Sequence, residues 1–430
     1  MSAIIERTDA LNGVLNIPGD KSFTHRALIL GALSSGDTRI SHFPHSQDCN
    51  DTIECLNHLG ISIEKEQDEV IIHGRGLHGL TEPGLTLSVG NSTTTIRLLS
   101  GVLASQDFVS EISGDNSILR RPMDGIISPL KQMGANISSK LNNNCPPLVI
   151  LPSQIKGITY KSDIASSQVK SSVLFTALFG DDPTAFIEPY QSRNHTELLL
   201  SAFGASLDCS GNQVVIQPAE RLYPIDVKIP GDISSAAYFI TAALITKNSE
   251  IRLCEIGMNP TRNGFLDVIR EMGADIEIIN EKQGLEPTAD LIVRSSKLHG
   301  ITLSGEIIPR TLDEIPILMV LACYAEGITF IKDGGELKLK ESDRLDITID
   351  NLKKMGANIE KANDSIVIEG GHPLHGAIIG TKYDHRIAMS FAIAALGASG
   401  KTEIIGSECV NVSYPGFYEA LRGLCPASRA

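Results

Sequence analysis

LKQMGANIS, residues 130–138, is the phrase whose recurrence sets the fold. It returns with changes as LNHLGISIE (56–64), LSAFGASLD (200–208), IREMGADIE (269–277) and LKKMGANIE (352–360). In each copy a helical pattern runs into a Gly, and a few alternating apolar and polar residues follow. Glycine suits a helix C-cap because it takes the left-handed conformation without strain. The alternation predicts a half-buried strand. A second pattern interleaves with the first: a polar turn leads into a helix of small apolar residues. Its copies are GDKSFTHRALILGAL (19–33), GNSTTTIRLLSGVLA (90–104), ASSQVKSSVLFTALF (165–179), GDISSAAYFITAALI (231–245), LDEIPILMVLACYAE (312–326) and YDHRIAMSFAIAALG (383–397). The chain therefore reads as six units of about 70 residues, each with two helices and several short strands. The last lacks a clear Met-Gly-Ala phrase and ends in FYEALRGL. IPGD occurs at 17–20 and again at 229–232, nearly half the chain apart, which predicts two similar domains of three units each.

Composition narrows the class. A chain of 430 residues exceeds one ordinary core, and 42% hydrophobic with 20% charged residues is typical of a globular protein. No apolar run approaches the ~20 residues that span a bilayer. MSAIIERTDA has no basic segment before an apolar stretch, so no signal peptide is expected and the cytoplasm is. A net charge of −14 argues against a nucleic-acid binder, and the absence of Trp argues against base-stacking platforms. The eight cysteines are scattered without a CxxC pair, so no metal site is expected and core thiols are.

The chemistry lies at the starts of the second-pattern helices. A helix N-terminus offers unpaired N–H groups and favours anions. Lys21, Ser22 and Arg26 occupy one start, although a spacing of five does not guarantee Lys21 and Arg26 a shared face. Ser166, Ser167 and Gln168 add neutral groups at another, and Asp384, His385 and Arg386 form a third. NSILRRPMDG (116–125) sets paired arginines before an expected Pro-started helix, and GGELKLKESDRLDI (334–347) packs Lys338, Lys340, Glu341, Asp343 and Arg344 together. Cations at these points in an acidic chain suggest phosphate and carboxylate substrates. Asp313 and Glu341, set among them, suit proton transfer.

PGDKSFTHRAL, GNSTTTIRL, RRPM, ASSQVKSS, SRNHTE, RTLDEIPIL, LKLKESDRL and YDHRIAM, in this order from about Leu11 to Tyr418, resemble the 5-enolpyruvylshikimate-3-phosphate synthase family. The resemblance implies an α/β fold, a two-domain inside-out α/β barrel with three βαβαββ units per domain. It implies one domain of residues 20–230 and a discontinuous one of 1–19 with 231–430, with crossings near 19–21 and 230–232, and closure of the domains on substrate. The reaction implied is transfer of the enolpyruvyl group of phosphoenolpyruvate to the 5-hydroxyl of shikimate 3-phosphate. It proceeds by addition and elimination, with no metal or organic cofactor, in a monomer whose partners are two small anions. Lys21 would touch both substrates. Ser22, Arg26, Ser166, Ser167, Gln168, Ser192 or Arg193, Asp313 and Lys340 would hold shikimate 3-phosphate. Asn91, Thr93, Arg121, Gln168, Arg344 and Arg386 would hold or border phosphoenolpyruvate. Asp313 would take the hydroxyl proton. Glu341, helped by Lys21, would protonate the methylene carbon, and His385 would support Glu341 and the leaving phosphate.

Two positions depart from the family pattern. Thr93 stands where many members have Gly beside the phosphoenolpyruvate site, which predicts reduced sensitivity to glyphosate. Val412 stands where some members carry a Lys that contacts phosphoenolpyruvate. The sister enolpyruvyl transferase acting on a UDP-sugar is one alternative; it has Lys-Asn where this chain has Lys21-Ser22, and a loop cysteine absent from SGDNSILRRPM. A non-catalytic anion-binding relative is the other, although it would have no need of Asp313 or Glu341. IPGD itself reads as the pair of domain crossings, with Gly19 and Gly231 permitting tight turns.

Overall fold

The structure, a computed structural model, describes residues 1–332, 344–362 and 365–426. Lys338, Lys340, Glu341 and Asp343 lie outside the described residues. The chain divides into two compact units. One is continuous, Gly19–Ile229, and the other joins Met1–Pro18 to Pro230–Ala430.

The recurring Gly phrase ends a helix and starts a strand in all five copies. Helices Gln47–His58, Asp124–Gln132, His195–Ala202, Gly264–Glu271 and Arg344–Lys354 stop just before Gly60, Gly134, Gly204, Gly273 and Gly356. All five glycines have positive φ, between 86° and 93°. Each time the glycine N–H and the next N–H fold back onto carbonyls of the last turn, as in Gly134 to Lys131 (3.0 Å) and Ala135 to Leu130 (2.9 Å). This pair of bonds satisfies carbonyls that a helix end leaves open.

Five sheets share one plan. A parallel pair is followed by two antiparallel strands, and in three of the five a helix from the second pattern joins the parallel strands. In one copy Leu87–Ser88 pairs in parallel with Ser110–Ser113, which pairs antiparallel with Leu148–Leu151, which pairs with Asn136–Ser139. The sheet of Thr159–Lys161, Thr184–Ile187, Gln213–Ile216 and Leu207–Ser210 repeats this order, as does that of Thr302–Leu303, Gly327–Ile331, Ser365–Gly370 and Asn358–Ala362. Two sheets borrow their first strand from far along the chain. Val227–Lys228 completes the sheet of Ser35–Ser41 in the continuous unit. Asn12–Asn16 completes the sheet of Glu250–Gly257 in the other. The sixth sheet is shorter: among the described residues Ile378–Gly380 and Lys401–Ile405 are joined only by Ser2–Glu6. Among the described residues the sixth unit has no closing hairpin, the place where the other five carry the glycine phrase.

The second-pattern helices are the cores. In the discontinuous unit, Ile233–Ile245, Ile315–Tyr324 and His385–Gly397 pack on one another through Phe239, Ile240, Leu318, Phe391 and their neighbours, all buried. In the continuous unit, Thr93–Leu103 packs against Lys21–Leu33 and Ser167–Ala177. There the buried surface carries polar groups: Thr24, His25, Arg26, Thr95, Lys170 and Ser171 are each at most 1% exposed. No helix among the described residues is long and apolar enough to cross a membrane.

Two local readings change. Residues Ile118–Arg120 form a 3-10 turn and the next helix begins at Asp124, so Pro122 precedes the helix rather than starting it. Neither Gly19 nor Gly231 has positive φ. A Cβ at Gly19 would lie 2.3 Å from the His42 carbonyl oxygen, so close approach of backbone, not turn geometry, requires glycine there.

Candidate active site

Side-chain caps fix five of the six helix starts. Asp20, Ser92, Ser166, Asp232 and Asp384 each accept a backbone N–H of the first turn, while Glu314 makes no such bond. Capping places the next two or three side chains at a helix entrance whose field favours anions.

In the continuous unit, Lys21 is the first residue of its helix, and its ammonium meets Asp48 Oδ2 at 2.6 Å. The two are 15% and 7% exposed. Nothing in the sequence marked Asp48, because the contact joins two helices. Lys21 and Arg26 do diverge. Arg26 is 1% exposed; its Nε–H donates to Thr196 Oγ1 at 2.7 Å and its other N–H groups reach Ser22 O, Ser171 Oγ and Ser167 O. It ties the Ser22 and Ser167 helix starts together from beneath. Arg193 donates to Ser22 Oγ, so these two expected ligands are neighbours.

A second set surrounds Thr93, the first residue of its helix. Arg121 donates to Thr93 Oγ1, to Asn91 Oδ1 at 3.3 Å and to Ser117 Oγ at 2.8 Å, while Asn91 Nδ2 donates to Asp115. Arg121 therefore contacts both of the other expected residues, Asn91 and Thr93. Gln168 donates to Thr94 Oγ1 at 2.9 Å and accepts from Arg97 at 2.6 Å, which joins the Ser166 start to the Thr93 start. Beneath them a buried chain runs from His25 Nδ1 to Thr52 Oγ1 (2.8 Å), to Thr95 Oγ1 (2.7 Å), to Ser92 Oγ (2.7 Å). Burial, together with the Lys21 and Arg26 charges, holds the His25 pKa well below the usual histidine value.

In the discontinuous unit Arg386 donates to the Asp313 carbonyl at 2.9 Å, and its guanidinium lies 3.6 Å from the Asp313 carboxylate. Arg262 sits 4.0 Å from the same carboxylate and also contacts Asp232 (3.3 Å) and Glu314 (3.4 Å). Ser234 donates to Glu314. The second IPGD thus feeds Asp232 and Ser234 into the support of Asp313. Arg262, in NPTRNG, escaped notice because its partners come from two other elements. Arg344 donates to Asp384 Oδ2 at 2.7 Å, with both side chains 1% exposed, and Asp384 caps the helix that starts at His385. Two guanidinium groups therefore flank the Asp313 carboxylate. Lys340 and Glu341 are outside the described residues. Among the described residues no group of three or more His, Cys, Asp or Glu side chains could hold a metal ion.

The EPSP synthase (3-phosphoshikimate 1-carboxyvinyltransferase) family model matches residues 5–421. The chain belongs to the EPSP synthase family. A 3-phosphoshikimate 1-carboxyvinyltransferase of Thermoanaerobacter sp. (strain X514) is 47% identical over 420 residues, covering 97% of this chain and 99% of that one. One of Bacillus cytotoxicus is 45% identical over 423 residues, 98% of this chain and 100% of the relative. Among solved structures, an EPSP synthase from Acinetobacter baumannii superposes with a TM-score of 0.88 at 39% identity, over 99% of this chain and 98% of the other. The likeness to that solved structure therefore extends over nearly the whole of both chains.

Proposed function

We propose that the chain transfers the enolpyruvyl group of phosphoenolpyruvate to the 5-hydroxyl of shikimate 3-phosphate, releasing inorganic phosphate. The observation that carries this reading is chemical. Cations and hydroxyls suited to polyanions stand at capped entrances of buried helices in the continuous unit, and in the discontinuous unit Arg386 and Arg262 flank the Asp313 carboxylate. Ser22, Ser166, Ser167, Gln168, Ser192 or Arg193, Asp313 and Lys340 hold shikimate 3-phosphate in this reading. Arg26 belongs with them, though its 1% exposure makes it chiefly the brace of Ser22 and Ser167. Asn91, Arg121, Gln168, Arg344 and Arg386 hold phosphoenolpyruvate, with Thr93 at its border, and Lys21 serves both.

In the addition step Asp313 takes the 5-hydroxyl proton as the oxygen attacks C2 of phosphoenolpyruvate. Glu341, assisted by Lys21, protonates the methylene carbon, giving a tetrahedral intermediate. In elimination a methyl proton returns to Glu341 and the C2–O bond to phosphate breaks, with His385 supporting the departing group. The chemistry calls for no metal or organic cofactor. Two domains, 20–230 and 1–19 with 231–430, closing on substrate, belong to the same proposal. So does a monomer in the cytoplasm, a reducing compartment that suits eight unpaired thiols.

Phosphate release from purified chain with both substrates tests the reading. Release is expected with the pair, and is expected to fall at least a hundredfold in Asp313→Asn and Lys21→Met. Release with UDP-N-acetylglucosamine and phosphoenolpyruvate alone would assign the chain to the sister reaction. Thr93 adds a second proposal: its side chain narrows the space for glyphosate, which is longer than phosphoenolpyruvate, and so lowers sensitivity to that inhibitor.

A further inference from the structure

Lys170 is a lysine inside a core helix. It stands at the fourth position of Ser167–Ala177, 1% exposed, among Val169, Ser171 and Val173. An ammonium in such a place is costly unless it is paired. Its partners are two carboxylates from different elements. Glu188 Oε1, just past the strand Thr184–Ile187, lies at 2.8 Å. Glu197 Oε1, in the first turn of His195–Ala202, lies at 2.7 Å. Glu188 and Glu197 are 4% and 7% exposed. A buried ion pair is seldom more stabilising than the apolar residues that could replace it. Its presence here calls for a role in geometry.

That role is visible at Ser192. Glu188 Oε1 accepts the Ser192 backbone N–H at 2.9 Å, and Lys170 Nζ donates to the Ser192 carbonyl at 3.2 Å. One ion pair therefore grips the peptide groups on both sides of a single residue. The next residue, Arg193, reaches Ser22. Glu197 joins the same ammonium to the helix that follows. The grip does not touch a ligand; it fixes the backbone that presents one.

We infer that Lys170, Glu188 and Glu197 are positioning residues that hold the Ser192–Arg193 segment in register for the phosphate of shikimate 3-phosphate. This rests on the function proposed above. It predicts a selective defect, because the phosphoenolpyruvate groups Asn91, Thr93 and Arg121 have no bond to the triad.

Steady-state kinetics of the full-length chain test it. Lys170→Met should raise KM for shikimate 3-phosphate about tenfold while KM for phosphoenolpyruvate stays within about twofold. Lys170→Arg, which keeps the charge and the donors, should recover most of the loss. Lys170→Met leaves two buried carboxylates together, so the triple variant Lys170→Met, Glu188→Gln, Glu197→Gln removes the charges at once and is read for folding by circular dichroism. A folded triple variant with the raised KM for shikimate 3-phosphate supports the inference. A normal KM in that variant, or an equal rise in both KM values, overturns it. Failure of the wild-type chain to release phosphate from the two substrates overturns the functional reading instead.

Discussion

Thr93 joins two properties in one side chain. It starts a core helix, and its hydroxyl accepts a hydrogen bond from Arg121, a proposed ligand of phosphoenolpyruvate. Thr93→Gly removes both the methyl group and the competing acceptor. The expected result is stronger inhibition by glyphosate, about tenfold in Ki, measured against phosphoenolpyruvate. Equal inhibition of both forms would sink the assignment. His25 yields a different prediction. Its folded pKa is lowered, so the unfolded chain binds a proton that the folded chain refuses. Stability is then full above the ordinary histidine value near ~6.5 and is lost as pH falls below it. His25→Gln should flatten the fall of Tm with pH below 6.5, removing up to about 1.4 kcal/mol per pH unit. An unchanged slope would mean that His25 takes up its proton without unfolding.

At the scale of the element, the two IPGD glycines separate. A Cβ at Gly19 would meet the His42 carbonyl oxygen at 2.3 Å and Ile229 Cγ2 at 2.8 Å, whereas one at Gly231 would meet Glu255 O at 3.1 Å. Gly19→Ala should therefore cost about 1–3 kcal/mol through overpacking, and Gly231→Ala less than half of that. Thermal unfolding of the two variants checks the order. Much at this scale was legible beforehand. The five Gly-ended helices and the polar helix starts could be read because caps and periodicity are local, written within ten residues of one another. Lys21, Ser22 and Arg121 were legible as site candidates for the same reason. Asp48, Arg262 and Glu188 were not, since each acts through a side chain that arrives from another element. Lys170 did carry a signal, a lone lysine in a helix of small and apolar residues, but its partners did not. Pro122 misled because a short turn intervenes before the helix begins.

The whole molecule repeats one plan with two kinds of core. Three apolar helices pack in the discontinuous unit, while those of the continuous unit are tied by Arg26 directly and by His25 through Thr52. The repeat count and the half-chain echo announced the plan. The borrowed strands were not announced, because a strand carries no mark of a partner two hundred residues away. Those strands set an order in time. As the chain leaves the ribosome, the continuous unit can close once Val227–Lys228 reaches Ser35–Ser41. The N-terminal strand Asn12–Asn16 must wait for Glu250–Gly257, and Ser2–Glu6 for Lys401–Ile405. Stalled nascent chains should therefore gain protease resistance over Gly19–Ile229 first, and Ser2–Glu6 should stay cleavable until Lys401–Ile405 has been made. Among these strands, those made earlier are the last to find their partners.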